Sequence, residues 1–412
     1  MPKNFFLALA LSLVTQVCAA EPLNFYDQYV PPIITFMARY NLVFQGELED
    51  DGNVVMELKF SRKKAGEYSG RYFSARDGLD IPLEGTLAAL VETGPVRDEK
   101  GKPRDGASEP ARYIWKLTRE VVREGGEVHD EWVGQRTDQR TGEARAFRLR
   151  RVTVEDIVRP LEIGADEKNP PELYAYLQIH AIAKPVGTET GNEKLAYQMW
   201  EDPRTGFQYP RLTRHPDPEV MQKINFLLAE RHGRFAALAL WAQNGDCHAA
   251  NARQGFNRGG ATVIYLTSTL MSMVEAGALH LCLPEFYPYQ HPVTFDLARG
   301  TYLDWNRLFD LFVPGEDKNG PRPRPGPAVR KLVENLEQER QASGEDGRDC
   351  TLSKEAFWDA YFADPGELVL ERPYRGAFSC MPQASIPFSR LTPILKPEGR
   401  RYLDDRENVA DP

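Results

Sequence analysis

An α+β fold is predicted: an N-terminal antiparallel β-meander or small barrel, followed by a mixed α+β half. Three observations predict it. Apolar residues alternate singly through residues 36–152, with turn residues between the runs. Beyond residue 217 they recur at helical spacing instead. Apart from Cys18, every cysteine (Cys247, Cys282, Cys350 and Cys380) lies in the second half.

The start reads as an export signal over residues 1–20. Lys3 gives the positive end, Phe5 to Val14 an apolar run, and Cys18-Ala19-Ala20 small residues before Glu21. The run is too short to cross a bilayer, which takes about 20 residues, and nothing later approaches that length. An integral membrane protein is therefore not expected. An acylated start would use Cys18, but Gln16 and Val17 stand where a small residue is required. Export implies a periplasmic location, or secretion where there is no outer membrane. In an oxidising compartment the even set of four cysteines reads as two disulfides, for which several connectivities are open. The 60 acidic against 51 basic residues give a net charge of −9. That argues against nucleic acid or an anionic lipid surface as partner.

Residues 21–160 form the predicted β-rich domain. Tyr40, Leu42 and Phe44 alternate up to the turn Asp50-Asp51-Gly52, and Val54, Met56, Leu58 and Phe60 alternate after it. An Asp-Gly turn supplies the positive φ that a tight hairpin needs. Further runs at 68–72, 81–85, 113–119, 128–132 and 147–151 bring the expected count to about seven strands, with a polar loop at 94–110. Residues 161–205 are interrupted by prolines and read as a junction, with an edge strand at 173–183.

The second domain is expected over 206–395. Met221, Ile224, Leu227, Leu228, Phe235 and Leu238 define a helix over 219–241. Strands are expected at 261–272, 279–283, 293–297, 367–371 and 376–378. Short helices are expected near 305–311, 328–342 and 353–362. The charged end, 396–412, reads as a mobile tail.

This half resembles the RsiV-like C-terminal domain of extracytoplasmic proteins, found in a lysozyme-sensing anti-sigma factor and beside a peptidoglycan deacetylase domain. The matching pieces span 208–395. They are Tyr209-Pro210-Arg211-Leu212, Ile224-Asn225, Thr294 to Gly300, Leu303 to Phe309, and Ile386 to Leu391 ahead of Pro393. The resemblance implies a mixed fold and a binding role rather than catalysis. It also favours the simplest disulfide scheme, Cys247 with Cys282 and Cys350 with Cys380. The family's Gly-Gly-Ala-His-Pro-like loop is altered here. Residues 282–292 keep only its His291-Pro292 end. The N-terminal half, through residues 66–73 and 81–85, resembles β-rich modules of exported bacterial proteins and implies no activity.

Candidate chemistry is sparse. The best recognition surface is Phe286, Tyr287, Tyr289 and His291, since rigid aromatics give large contact area at low entropic cost. The alternative is a loop whose rings pack on the core. Asp296, Asp304 and Asp310 could face a basic partner or serve as turn and helix caps. Cys247-His248 and His280-Leu281-Cys282 have the ligand types zinc takes, without the usual spacing. No His-Glu-x-x-His, Gly-x-Ser-x-Gly or phosphate-binding glycine loop is present. His129-Asp130-Glu131 alternate across a strand and cannot converge. Asp80 and Glu84 could be drawn as a glycosidase pair. No catalytic residue, metal or cofactor is assigned. The expected function is a non-enzymatic, exported binding protein of the cell envelope, its partner a lysozyme-like protein or a peptidoglycan fragment. The alternatives are a cell-wall hydrolase or deacetylase accessory protein, or a zinc-binding protein.

Overall fold

A computed structural model describes residues 41–404 except 50–51, 62–63, 77, 94–111, 125–126, 159–172, 244–258, 280–286, 318–319, 322, 344–350, 356–357 and 373–382. The fold is mostly sheet with few helices. The signal segment and all four cysteines of the second half lie outside the described residues, and so do both disulfide pairings.

Eight strands form a closed antiparallel barrel: β1 (Asn41–Leu48), β2 (Gly52–Phe60), β3 (Glu67–Ser74), β4 (Leu79–Thr86), β5 (Ala89–Glu92), β6 (Tyr113–Glu124), β7 (Glu127–Asp138) and β8 (Ala144–Val152). Closure comes from β1 pairing β8, with Val43 opposite Val152. The sequence predicted about seven strands. The extra one is the four-residue β5, too short to show an alternation. At Gly52 φ is +77°, as the turn required. Phe44, Met56, Leu58, Tyr72, Leu83, Trp115, Trp132 and Leu149 fill the interior. Eight strands enclose just enough room for such side chains.

After α1 (Val154–Val158), helix α2 (Leu173–Ile182) lies on the barrel's outer wall. Its Leu173, Tyr174, Leu177 and Ile182 pack on Val43, Val55 and Phe73. This segment was expected to be a strand. It is buried nearly all round, so no polar stripe marks the helical period, and a buried helix then reads like a buried strand.

A seven-stranded sheet follows, in the order β15-β14-β13-β12-β11-β10-β9. Its strands are β9 (Lys184–Gly191), β10 (Ala196–Asp202), β11 (Phe207–Arg214), β12 (Gly259–Leu266), β13 (Leu270–Leu279), β14 (Tyr287–Asp296) and β15 (Thr301–Tyr302). All neighbours are antiparallel except β11 and β12, which run parallel through Gln208 and Gly260. The run expected as one strand at 261–272 is a hairpin. Thr267 Oγ1 accepts from Leu270 N and turns the chain between β12 and β13. β9 and β10 come from the expected junction and belong to this sheet.

Helix α3 (Pro218–Gln243) covers one face, burying Ile224, Leu228 and Phe235 against Phe207, Met271, Met273 and Phe295. It crosses α2 at Gly233, where a Cβ would sit 2.6 Å from the Ala175 carbonyl oxygen, so only glycine fits.

The other core joins α4 (Trp305–Leu308), α5 (Pro327–Ala342), α6 (Pro397–Asp404) and the sheet β20 (Asp359–Ala363), β21 (Glu367–Glu371), β22 (Gln383–Pro387). Between α4 and α5 lie two short ribbons: β16 (Phe312–Val313) with β19 (Arg324–Pro325), and β17 (Glu316–Asp317) with β18 (Gly320–Pro321). The helix expected over 353–362 is instead a 3₁₀ turn at Leu352–Lys354 followed by β20. Ala360 and Phe362 face this core, and Tyr361, next between them, is buried as well, so β20 is covered on both sides. The strand expected at 376–378 lies outside the described residues. The expected tail contains α6, anchored by buried Leu403. Among the described residues no helix is long and apolar enough to cross a membrane.

Candidate functional site

Buried charges are expensive unless paired. In the barrel interior, Arg136 donates from Nε to Glu92 Oε1 at 2.7 Å. The same oxygen accepts from Trp115 Nε1 at 2.9 Å and from the Tyr72 hydroxyl at 3.1 Å. Between barrel and sheet, Arg204 pairs with Asp202 and donates to Gln178 Oε1 at 3.1 Å. Gln178 and Tyr174 both donate to Asp80 Oδ1, each at 2.6 Å. Under α3, Arg231 holds Glu275 with two parallel bonds of 2.7 and 2.8 Å.

Arg211 departs from this rule. It lies on β11, on the face of Phe207 and Tyr209, and only 8% of it is exposed. Its Nη1 donates to the Pro210 carbonyl at 2.8 Å, and its Nη2 stands 3.4 Å from His232 Nδ1. Among the described residues no carboxylate pairs with it. Burial pushes its pKa down to about 9, a direction a contacting carboxylate would oppose.

The surroundings are aromatic. The His232 ring stacks on Tyr209 at 4.6 Å, and Tyr176 stacks on His180 at 5.8 Å. Arginine only donates, so His232 Nδ1 must accept. The proton then sits on Nε2, 3.1 Å from the Phe207 carbonyl that receives it. Burial, and next the charge of Arg211, hold His232 well below the usual histidine range. The same two causes lower His180. Tyr176 is half-buried and His180 exposed, so the cluster reaches solvent along α2.

Of the residues predicted to bind, Phe286 lies outside the described residues. Tyr287 and Tyr289 are in β14, opposite Leu279 and Gly277. His291 is not at the surface: it is 8% exposed and stands opposite Glu275. Asp296 is buried, accepting from Arg307 and from the Tyr402 hydroxyl at 3.1 Å. It does not face a partner. Asp304 caps α4 through Asn306 N at 3.0 Å, and exposed Asp310 pairs with Lys396 at 3.2 Å.

Of the carboxylate pair drawn for the enzymatic alternative, Asp80 accepts from Tyr174 and Gln178 of α2, and Glu84 lies four residues along the same strand, about 13 Å away between Cα positions at strand rise. The cysteines and histidines of the zinc reading, His291 aside, lie outside the described residues. Among the described residues no cluster of three His, Cys, Asp or Glu could hold a metal ion. A cleft of 210 Å³ between α5 and β22 falls below the usual small-molecule range, about 300–1,000 Å³.

One further buried acid stands out. Glu371, 3% exposed, receives a long 3.4 Å contact from the Tyr361 hydroxyl, while its other oxygen has no partner among the described residues. Burial, then the nearby charge of Asp359, push it up to about 7.

Sequence reasoning passed over Arg211 and His232, although both left a trace. Arg211 interrupts the apolar alternation Phe207, Tyr209. His232 sits on the helical stripe of Leu228 and Phe235. A polar residue on a core-facing stripe is the signal. No family model matches the chain, and no curated protein matches it.

Proposed function

We propose that this chain is an exported binding protein of the cell envelope, with the second half carrying the ligand. The supporting observation is how the motif pieces of the RsiV-like resemblance meet. Asn225 donates to the Leu212 carbonyl at 2.8 Å and accepts from Leu212 N at 2.7 Å, joining the first two pieces. Leu303 N donates to the Thr294 carbonyl at 2.9 Å, and Arg307 pairs with Asp296, joining the next two. Ile386, Phe388 and Leu391 share a core with Leu303, Leu308 and Phe309. Within each of these two groups the pieces contact one another.

On this reading the ligand is a peptidoglycan fragment or a lysozyme-like protein, and the compartment is the periplasm or the exterior. The test is calorimetric titration of the oxidised protein with a c-type lysozyme and with a soluble muropeptide. Saturable binding of either supports the reading. Absence of both overturns it.

A further inference from the structure

We infer that Arg211 anchors a binding site for a small organic carboxylate, walled by α2, α3 and β11. The inference deepens the binding role proposed above and rests on it only for the ligand's origin.

A buried cation is stable when an opposite charge answers it. Arg136, Arg204 and Arg231 are each answered from within the chain. Arg211 is as buried as Arg136 and, among the described residues, meets only neutral acceptors, Pro210 O and His232 Nδ1. A guanidinium carries more donors than these two bonds use, in a planar fork that matches a carboxylate. Among the described residues one positive charge and its spare donors are left over, in a layer whose outer residues are half-buried Tyr176 and exposed His180.

Charge selects the ligand class. From α3 comes neutral His232, from α2 come Tyr176 and His180, and from β11 comes Tyr209. Arg204, the other cation felt by His232, is already paired with Asp202. One unanswered positive charge suits a monoanion. A phosphate dianion would bring a second charge with nothing to meet it. The aromatic walls suit a ligand with an apolar or flat body. A peptide's terminal carboxylate has this chemistry, and a peptidoglycan stem peptide carries it.

The experiment uses the full chain. Acetate and D-alanyl-D-alanine are titrated against chloride at equal ionic strength, following the midpoint of thermal unfolding and binding heat. The wild type should gain in melting temperature and show saturable binding. In Arg211→Met the affinity should fall at least tenfold. Arg211→Lys keeps the positive charge without the planar fork and should also bind more weakly than the wild type. It decides the matter should Arg211→Met fail to fold.

No carboxylate effect in the wild type, or an equal effect in Arg211→Met and Arg211→Lys, would overturn the site. Phosphate binding more tightly than either carboxylate would overturn the ligand class. If muropeptide binds wild type and Arg211→Met alike, the envelope role stands and this site falls. If acetate binds at Arg211 while muropeptide and lysozyme do not, the site stands without that role.

Discussion

The barrel interior and the layer between α2, α3 and β11 bury arginines to the same depth, with opposite results. Arg136 donates to Glu92 and to the Tyr72 hydroxyl, and Trp115 donates to the same Glu92. Arg211 meets a carbonyl and an imidazole. The first arrangement fixes a core: each polar atom specifies where its neighbours go. The second leaves charge over, and leftover charge in a folded interior signals a group held ready for something else.

Substitutions can break or sharpen this contrast. The largest effect is expected in the barrel. Arg136→Met strands Glu92 without its cation and should cost about 3–5 kcal/mol in urea unfolding. A smaller loss would mean that Glu92 finds water or a proton readily.

Glu371 is the converse case, a buried acid that meets no cation among the described residues. Its folded pKa of about 7 exceeds its unfolded value. The native state therefore binds the extra proton as pH falls through 7, which stabilises it. Above pH 7 the ionised form is a burden of about 3 kcal/mol. Glu371→Gln should recover most of that at pH 8 and little at pH 5, measured by urea midpoints at both.

His232 has the opposite sign. Its folded pKa is depressed, so below about 6.5 the unfolded chain takes a proton that the native one refuses. Stability should fall on acidification by up to about 1.4 kcal/mol per pH unit. Comparing the pH dependence of wild type with His232→Leu isolates this slope from that of Glu371. Equal slopes would mean that His232 titrates normally.

The smallest effect is the sharpest comparison. Arg211→Met removes a buried charge without orphaning a carboxylate. It should leave stability within about 1 kcal/mol of wild type, or raise it. A loss as large as that of Arg136→Met would show that Arg211 has a structural role after all.

How much of this was legible in the chain depended on the range of the contacts. Val54, Met56 and Leu58 revealed a barrel strand because a period of two is a local property. The long helix α3 was equally plain from Ile224, Leu228 and Phe235. α2 was misread because burial on several sides erased its polar stripe. The pairing of Arg136 with Glu92, 44 positions apart, left no local mark. Nor did the absence, among the described residues, of a carboxylate at Arg211, which depends on what β11, α2 and α3 together bring near. For His291 the sequence left a recognition surface and packing on the core both open, and its 8% exposure, opposite buried Glu275, decides for the interior.

The helix laid on the barrel wall sets where the chain can be divided. A fragment ending before residue 173 would bare Val43, Val55 and Phe73, a greasy stripe on an otherwise charged cylinder. A fragment starting after residue 182 would strip α3 of the partner that Gly233 was shaped to receive. Expression of either half alone should therefore keep 173–182 attached, and halves cut without it should cling to one another or precipitate.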